Sequence, residues 1–140
     1  MMKYSTYFLN GQILTAYGYF RYNPWATDEW LPPFKDFYEC ISRVKGLSKI
    51  YYDEEYSHEY LLHLLKNIIQ PFDGLVILNL NDLGYKPEVV LERLETIMNR
   101  GIYLFDLDKE IDVKATCDYI LSTKCGNDRI TPRDVVYMEV

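Results

Sequence analysis

The sequence predicts an α/β fold of three layers, a mostly parallel sheet covered by helices, with an added N-terminal β-hairpin. Three observations carry that expectation. Gly74 to Leu80 is apolar on both faces, as a central parallel strand covered on each side must be. β-rich segments alternate with segments of 3.6-residue apolar period, the pattern of strands joined by crossover helices. No repeat, low-complexity run or long linker divides the 140 residues, so 1–140 is read as one domain.

Each element has its local reason. Lys3 to Leu9 and Gln12 to Tyr22 are β-rich and flank Asn10-Gly11, a pair that tolerates positive φ at both turn positions. Residues 1–22 are therefore expected to form a hairpin that includes the first strand. Pro24, Pro32 and Pro33 make the stretch from Trp25 to Pro33 a loop. A helix follows from Phe34, with Phe37, Tyr38, Ile41 and Val44 at 3/4 spacing and Gly46 closing it. Lys49 to Tyr52 is a short strand. Tyr56 to Ile69 is helical through Leu61, Leu62, Leu65, Ile68 and Ile69, and Pro71 stops it.

The second half reads the same way. After the Gly74 strand, Pro87 suits a first helical position. Val90, Leu91, Leu94, Ile97 and Met98 make the buried stripe, and Gly101 supplies a left-handed cap. Ile102 to Leu107 is the next strand, 113–122 a short helix, and Val135 to Val140 a last strand.

Composition narrows the function. A formal charge of −6 and a pI near 4.9 argue against a broad DNA interface, which needs cations to displace phosphate counterions. No apolar run approaches the roughly 18 residues of a membrane span. Met1-Met2-Lys3-Tyr4 opens no apolar core, so no secretory signal is expected. Cys40, Cys117 and Cys125 lack CxxC spacing and read as reduced structural thiols, which suits a cytoplasmic protein. The 14 tyrosines exceed what a core needs. Tyr17, Tyr19 and Tyr22 form one run; Tyr51, Tyr52, Tyr56 and Tyr60 form another. Such rings either anchor a protein interface or half-bury along strand and helix edges.

The block from Asp73 to Asp112 carries one further signal. Its strand runs into Leu80-Asn-Asp-Leu-Gly-Tyr85, then a helix and a Gly-capped turn into the next strand. This resembles the catalytic domain of serine recombinases (resolvases and invertases), where the strand ends in Leu-Asp-Arg-Leu-Gly-Arg. Leu80, Leu83 and Gly84 match the scaffold; Asn81, Asp82 and Tyr85 replace the Asp and the two arginines. The family's first strand ends in Gly-Tyr-x-Arg-Val-Ser, whose serine attacks DNA. Gly18-Tyr-Phe-Arg-Tyr-Asn23 is similar, with Arg21 kept and Asn23 in the serine's place. A competing register on Tyr4 to Gln12 loses the arginine. Thr27-Asp28-Glu29 and Asp53 with Ser57 fall where the family has related segments.

The likeness covers residues 16–112 and leaves 113–140 as a divergent tail, which Pro132 interrupts. It implies a resolvase-like domain without the family's long dimerisation helix and DNA-binding module. It also implies lost chemistry. Asn23 has no hydroxyl with which to form a phosphodiester, and Asp82 sets an anion where a cation would hold the phosphate. At about 4 Å and an effective dielectric near 20, that reversal turns about 4 kcal/mol of attraction into a like repulsion. The expectation is a catalytically inactive domain, a pseudoenzyme that needs no cofactor. It would act through protein–protein contact and regulate DNA recombination in a mobile-element setting. Tyr22, Trp25, Tyr52, Tyr56 and Tyr85 are the candidate contact residues. The likeness leaves homo- and hetero-oligomers both open.

Two rivals remain at this point. Asp106 and Asp108 in Phe105-Asp-Leu-Asp108, with Asp82 from another strand end, would suit a Mg²⁺ site for phosphotransfer or nuclease chemistry. Acidic residues at strand ends more often lie solvated in loops. The chain could otherwise be a DNA-binding recombinase remnant, against which its negative charge stands. His58 and His63 are spaced at five, not four, which suits one helix face poorly, and no third ligand of zinc type accompanies them, so zinc is not expected. Nor is there a Gly-rich phosphate loop.

Overall fold

A computed structural model describes residues 3–11, 15–22, 33–54 and 57–139. Along the chain run α1 (Tyr4–Leu9), β1 (Ala16–Tyr22), α2 (Pro33–Ser42), β2 (Leu47–Glu54), α3 (Glu59–His63), β3 (Gly74–Ile77), α4 (Pro87–Asn99), β4 (Tyr103–Asp106), β5 (Lys109–Glu110) and α5 (Val113–Thr123). A π-helical turn (Leu64–Ile68) prolongs α3, and a 3₁₀ turn (Leu80–Leu83) links β3 to α4. The strands order as β2-β1-β3-β4-β5. β1 to β4 are mutually parallel, and the two-residue β5 runs antiparallel to β4. This is an α/β fold with a mostly parallel sheet.

Strand alternation sorts the core into two halves. Tyr19, Leu75 and Ile77 point to the side where Leu61, Leu64, Val90, Leu94, Ile97 and Ile120 of the later helices pack. Phe20, Val76 and Phe105 point to the other side, against Tyr4, Tyr7 and Ile41 of α1 and α2. Helices thus cover both faces, as three layers require. β3, buried at all four positions, is the central strand expected from its two-sided apolarity.

The N-terminal hairpin is not formed. Tyr4–Leu9 is helical, and Asn10-Gly11 ends that helix instead of turning a ribbon. Gly11, at φ +70, donates its N–H to the carbonyl of Phe8. The reason is burial at helical spacing. Tyr4 and Tyr7 lie one turn apart, and both rings meet Phe105, at 5.5 and 5.7 Å. The Tyr7 hydroxyl donates to Glu110 at 2.9 Å, and Asp108 caps the helix start by accepting from the N–H of Tyr4 and of Ser5.

The expected strand from Val135 to Val140 is also absent among the described residues; Tyr137 makes only an isolated bridge to Ile111. Asp112 begins α5 by capping Ala115, so too little extended chain follows β5 to build a ladder. The other elements stand near their expected places. β2 is longer than read, α2 ends earlier, and the long helix to Ile69 is split between α3 and the π turn. The loop expected from Trp25 to Pro33 lies outside the described residues but for Pro33, which opens α2.

The path β1→β2 goes to one edge of the sheet, and β3 and β4 then add on the other side of β1. The winding therefore reverses between β1 and β3. In open α/β sheets, the carboxyl ends of strands at such a reversal frame the usual binding crevice.

Gly84 fixes the exit from this crevice. Its φ of +149 and ψ of 170 are a conformation open almost only to glycine. A Cβ there would stand 2.8 Å from Val89 Cγ1. Gly84→Ala is expected to lower unfolding free energy by about 1–3 kcal/mol. Chemical denaturation measures it, and an unchanged midpoint would contradict the assignment.

Candidate functional site

The crevice between the ends of β1 and β3 is occupied by the chain itself. Asp82, 5% exposed, reaches across it from the 3₁₀ turn. One carboxylate oxygen accepts the backbone N–H of Arg21, at the end of β1, at 3.3 Å. The other accepts the N–H groups of Leu78 and Asn79, just past β3, at 3.1 and 3.0 Å. Three backbone donors thus converge on one anion, the arrangement by which strand ends and turns hold phosphate or carboxylate ligands. Burial pushes the Asp82 carboxyl up to about 6, outweighing the three amides and the Arg21 charge that pull it down. At neutral pH it is an ionised acceptor.

Arg21 is held in the same crevice. Its guanidinium donates to the carbonyl of Asn81 and lies 4.5 Å from the centre of the Tyr85 ring. Arg129, from the tail, stands over that ring at 5.8 Å. The Tyr85 backbone is tied down in turn, its carbonyl accepting from Ile130 N–H at 2.7 Å. Arg21, Asn81, Asp82 and Tyr85 are therefore one constellation. Asn23 lies outside the described residues.

A second buried carboxylate sits beside it. Asp53, opposite Arg21 in the β1/β2 register, accepts the Tyr19 hydroxyl at 2.6 Å and the N–H groups of Tyr60 and Leu61 at 3.1 Å. It pins the start of α3 to the sheet. Burial, then the Asp53 bond, holds the Tyr19 hydroxyl far above its ordinary range. His58, next to this pin, is held below its usual value by burial first, then by Arg21 and Arg93, with Asp53 opposing. Arg93 was missed in the sequence reading. It lies on the buried stripe of α4, three positions after Val90 and four before Ile97, where helical spacing alone would have placed it.

The three acids of the metal reading do not share a site. Asp82 is satisfied by backbone amides, Asp106 accepts the Tyr137 hydroxyl at 2.5 Å, and Asp108 accepts from Ser5. Among the described residues, no group of three acidic, histidine or cysteine side chains is placed to hold a metal ion. The candidate contact tyrosines do not form one patch either. Arg21 and Tyr22 are adjacent in β1 and leave it on opposite faces. Tyr22 and Tyr52 therefore lie with Phe20 and Phe34 on the α2 side, with ring centres 6.0 Å apart, whereas Tyr85 stacks on Arg21. Trp25 and Tyr56 lie outside the described residues.

No protein-family model matches the sequence, and no match to a curated protein is found.

The burial of Asp82 has a thermodynamic consequence. Its folded pKa, about 6, exceeds the unfolded value of about 3.9, so the native state binds the extra proton between them. The stabilisation is complete below the lower value and lost as pH rises through the upper one. Asn at this position cannot titrate. The stability of the wild type relative to Asp82→Asn should therefore fall by on the order of 2–3 kcal/mol between pH 4 and pH 6.5. Denaturant unfolding across that range measures it; a constant or rising difference would contradict the assignment.

Proposed function

We propose that this chain is a catalytically inactive, serine-recombinase-like domain that works by protein–protein contact, as a regulator of a recombination or mobile-element process. One observation carries the reading: the carboxylate of Asp82 fills the crevice between β1 and β3. It takes the backbone donors that would receive a substrate's phosphate, while Arg21 is engaged with Asn81 and Tyr85. A second anion would have to displace an ionised carboxylate from a buried position. The run from Gly74 to Asp106, a strand, a turn held by Gly84, a helix and a second strand, supports the likeness. The acidic balance of the chain weighs against DNA as the partner.

The contact surface belongs at the β2 edge. β2 ends the sheet, and Tyr38, Tyr52 and Tyr60 beside it are 42, 38 and 53% exposed. Tyr52 packs edge-on to Phe34 at 4.8 Å and Tyr38 stacks on Phe34 at 5.8 Å, which orders both rings while leaving one side open. Rigid, half-open aromatics lose little entropy on binding and make good anchors.

Two arms of one experiment test this reading. Supercoiled plasmid incubated with the protein and Mg²⁺ should show neither strand breaks nor a covalent adduct on a denaturing gel. Capture of partners from the native host, compared at equal amounts of folded protein, should then drop about tenfold or more in Tyr38→Ala and Tyr52→Ala. A chain-dependent adduct would overturn inactivity. Capture that survives both substitutions would overturn the surface.

A further inference from the structure

We propose that the groove between α1 and α2 is a binding site for a small amphipathic carboxylate, an apolar chain or ring with one acidic head. The groove measures about 690 Å³, within the range of roughly 300–1,000 Å³ typical of small-molecule sites. It lies on the Phe20/Phe105 side of the sheet and does not depend on the Asp82 crevice or on the function proposed above.

Its walls are apolar: Tyr4, Phe8 and Leu9 from α1, Cys40 and Val44 at α2, and Leu107 from the turn after β4. Leu9 is 82% exposed and Phe8 39%, so apolar side chains face water there. Leu107 holds a φ of +52, a conformation uncommon for a bulky residue, with its N–H bound to the carbonyl of Ile77 at 3.0 Å. That strained turn sets an apolar side chain in the groove wall.

The polar groups fit an acidic head. Arg43 and Lys45 also line the groove, and neither makes an ion pair with any described residue, in a chain of net charge −6. Asp108, an acid in the lining, is already committed, its two oxygens accepting from Ser5. The second pointer is Tyr4. It is 2% exposed, yet its buried hydroxyl has no hydrogen-bond partner among the described residues. Buried hydroxyls are nearly always satisfied, and this one belongs to a residue that lines the groove. Two cations without ion-pair partners and a donor without an acceptor among the described residues, set beside an apolar wall, together specify an anionic head on an apolar body.

The test uses decanoate as probe, with decanol as its uncharged counterpart, on the full chain. Decanoate should raise the melting temperature saturably with a half-effect below about 1 mM, because a ligand that binds only the folded state stabilises it. Decanol should bind at least about tenfold more weakly. The double variant Arg43→Ala/Lys45→Ala, at exposed positions, should fold normally and lose about tenfold in affinity. Tyr4→Phe should melt no lower than wild type without ligand and bind decanoate several-fold more weakly. Absence of saturable binding, a fall in melting temperature, or equal binding of decanol would overturn the proposal. So would variants that bind like wild type. A concentration-dependent dimer that decanoate leaves intact would assign the groove to a second copy and overturn it as well.

Discussion

The anchoring of Asp82 across the ends of β1 and β3 is the interaction on which the rest of this architecture turns. A parallel sheet that reverses its winding leaves strand-end amides at the reversal with no partner in the sheet. Solvent, a ligand or the chain must meet them. Here the chain does, through one carboxylate that accepts from Arg21, Leu78 and Asn79. The same contact places the 3₁₀ turn, and with it the Asn81 carbonyl and the Tyr85 ring that receive the Arg21 guanidinium. Asp53 repeats the device one strand over, closing the start of α3 onto Tyr19.

The two buried carboxylates separate structure from chemistry at this edge. Each is surrounded by donors belonging to the protein: Asp82 accepts three backbone N–H groups, and Asp53 accepts two together with the Tyr19 hydroxyl. A general base must be within hydrogen-bond reach of the proton it abstracts, and a phosphate clamp must offer uncommitted donors. On the function proposed above, an edge organised around its own internal anion would hold a shape for a partner. The exposed rings beside β2 would, on the same proposal, be where that shape is recognised.

Much of the fold was legible because local pattern and tertiary fate agreed. The stripe Val90, Leu94, Ile97 and the four-residue run of β3 are both buried, as their periodicities require. Tyr4 to Leu9 was not legible, since its composition suits a strand while its aromatic spacing suits a helix. The choice was made by Phe105 and Glu110, about a hundred residues away. The candidate constellation was partly legible: Arg21, Asn81, Asp82 and Tyr85 do meet. What Asp82 does there was hidden, because its partners are backbone amides, one of them 61 residues distant, and no side-chain motif records them. The split of the tyrosines, by contrast, follows from strand alternation and could have been read from Arg21-Tyr22 alone.

Chemical rescue tests most directly whether Asp82 serves as an internal anion. Replacing it with glycine removes the carboxylate and leaves a space of its size beside the Arg21, Leu78 and Asn79 amides. Thermal melts of wild type and Asp82→Gly are compared with increasing sodium formate, against sodium chloride at equal ionic strength. The account predicts a destabilised variant whose melting temperature rises with formate, while the wild type responds to neither salt. A variant as stable as wild type, or one indifferent to formate, would contradict it.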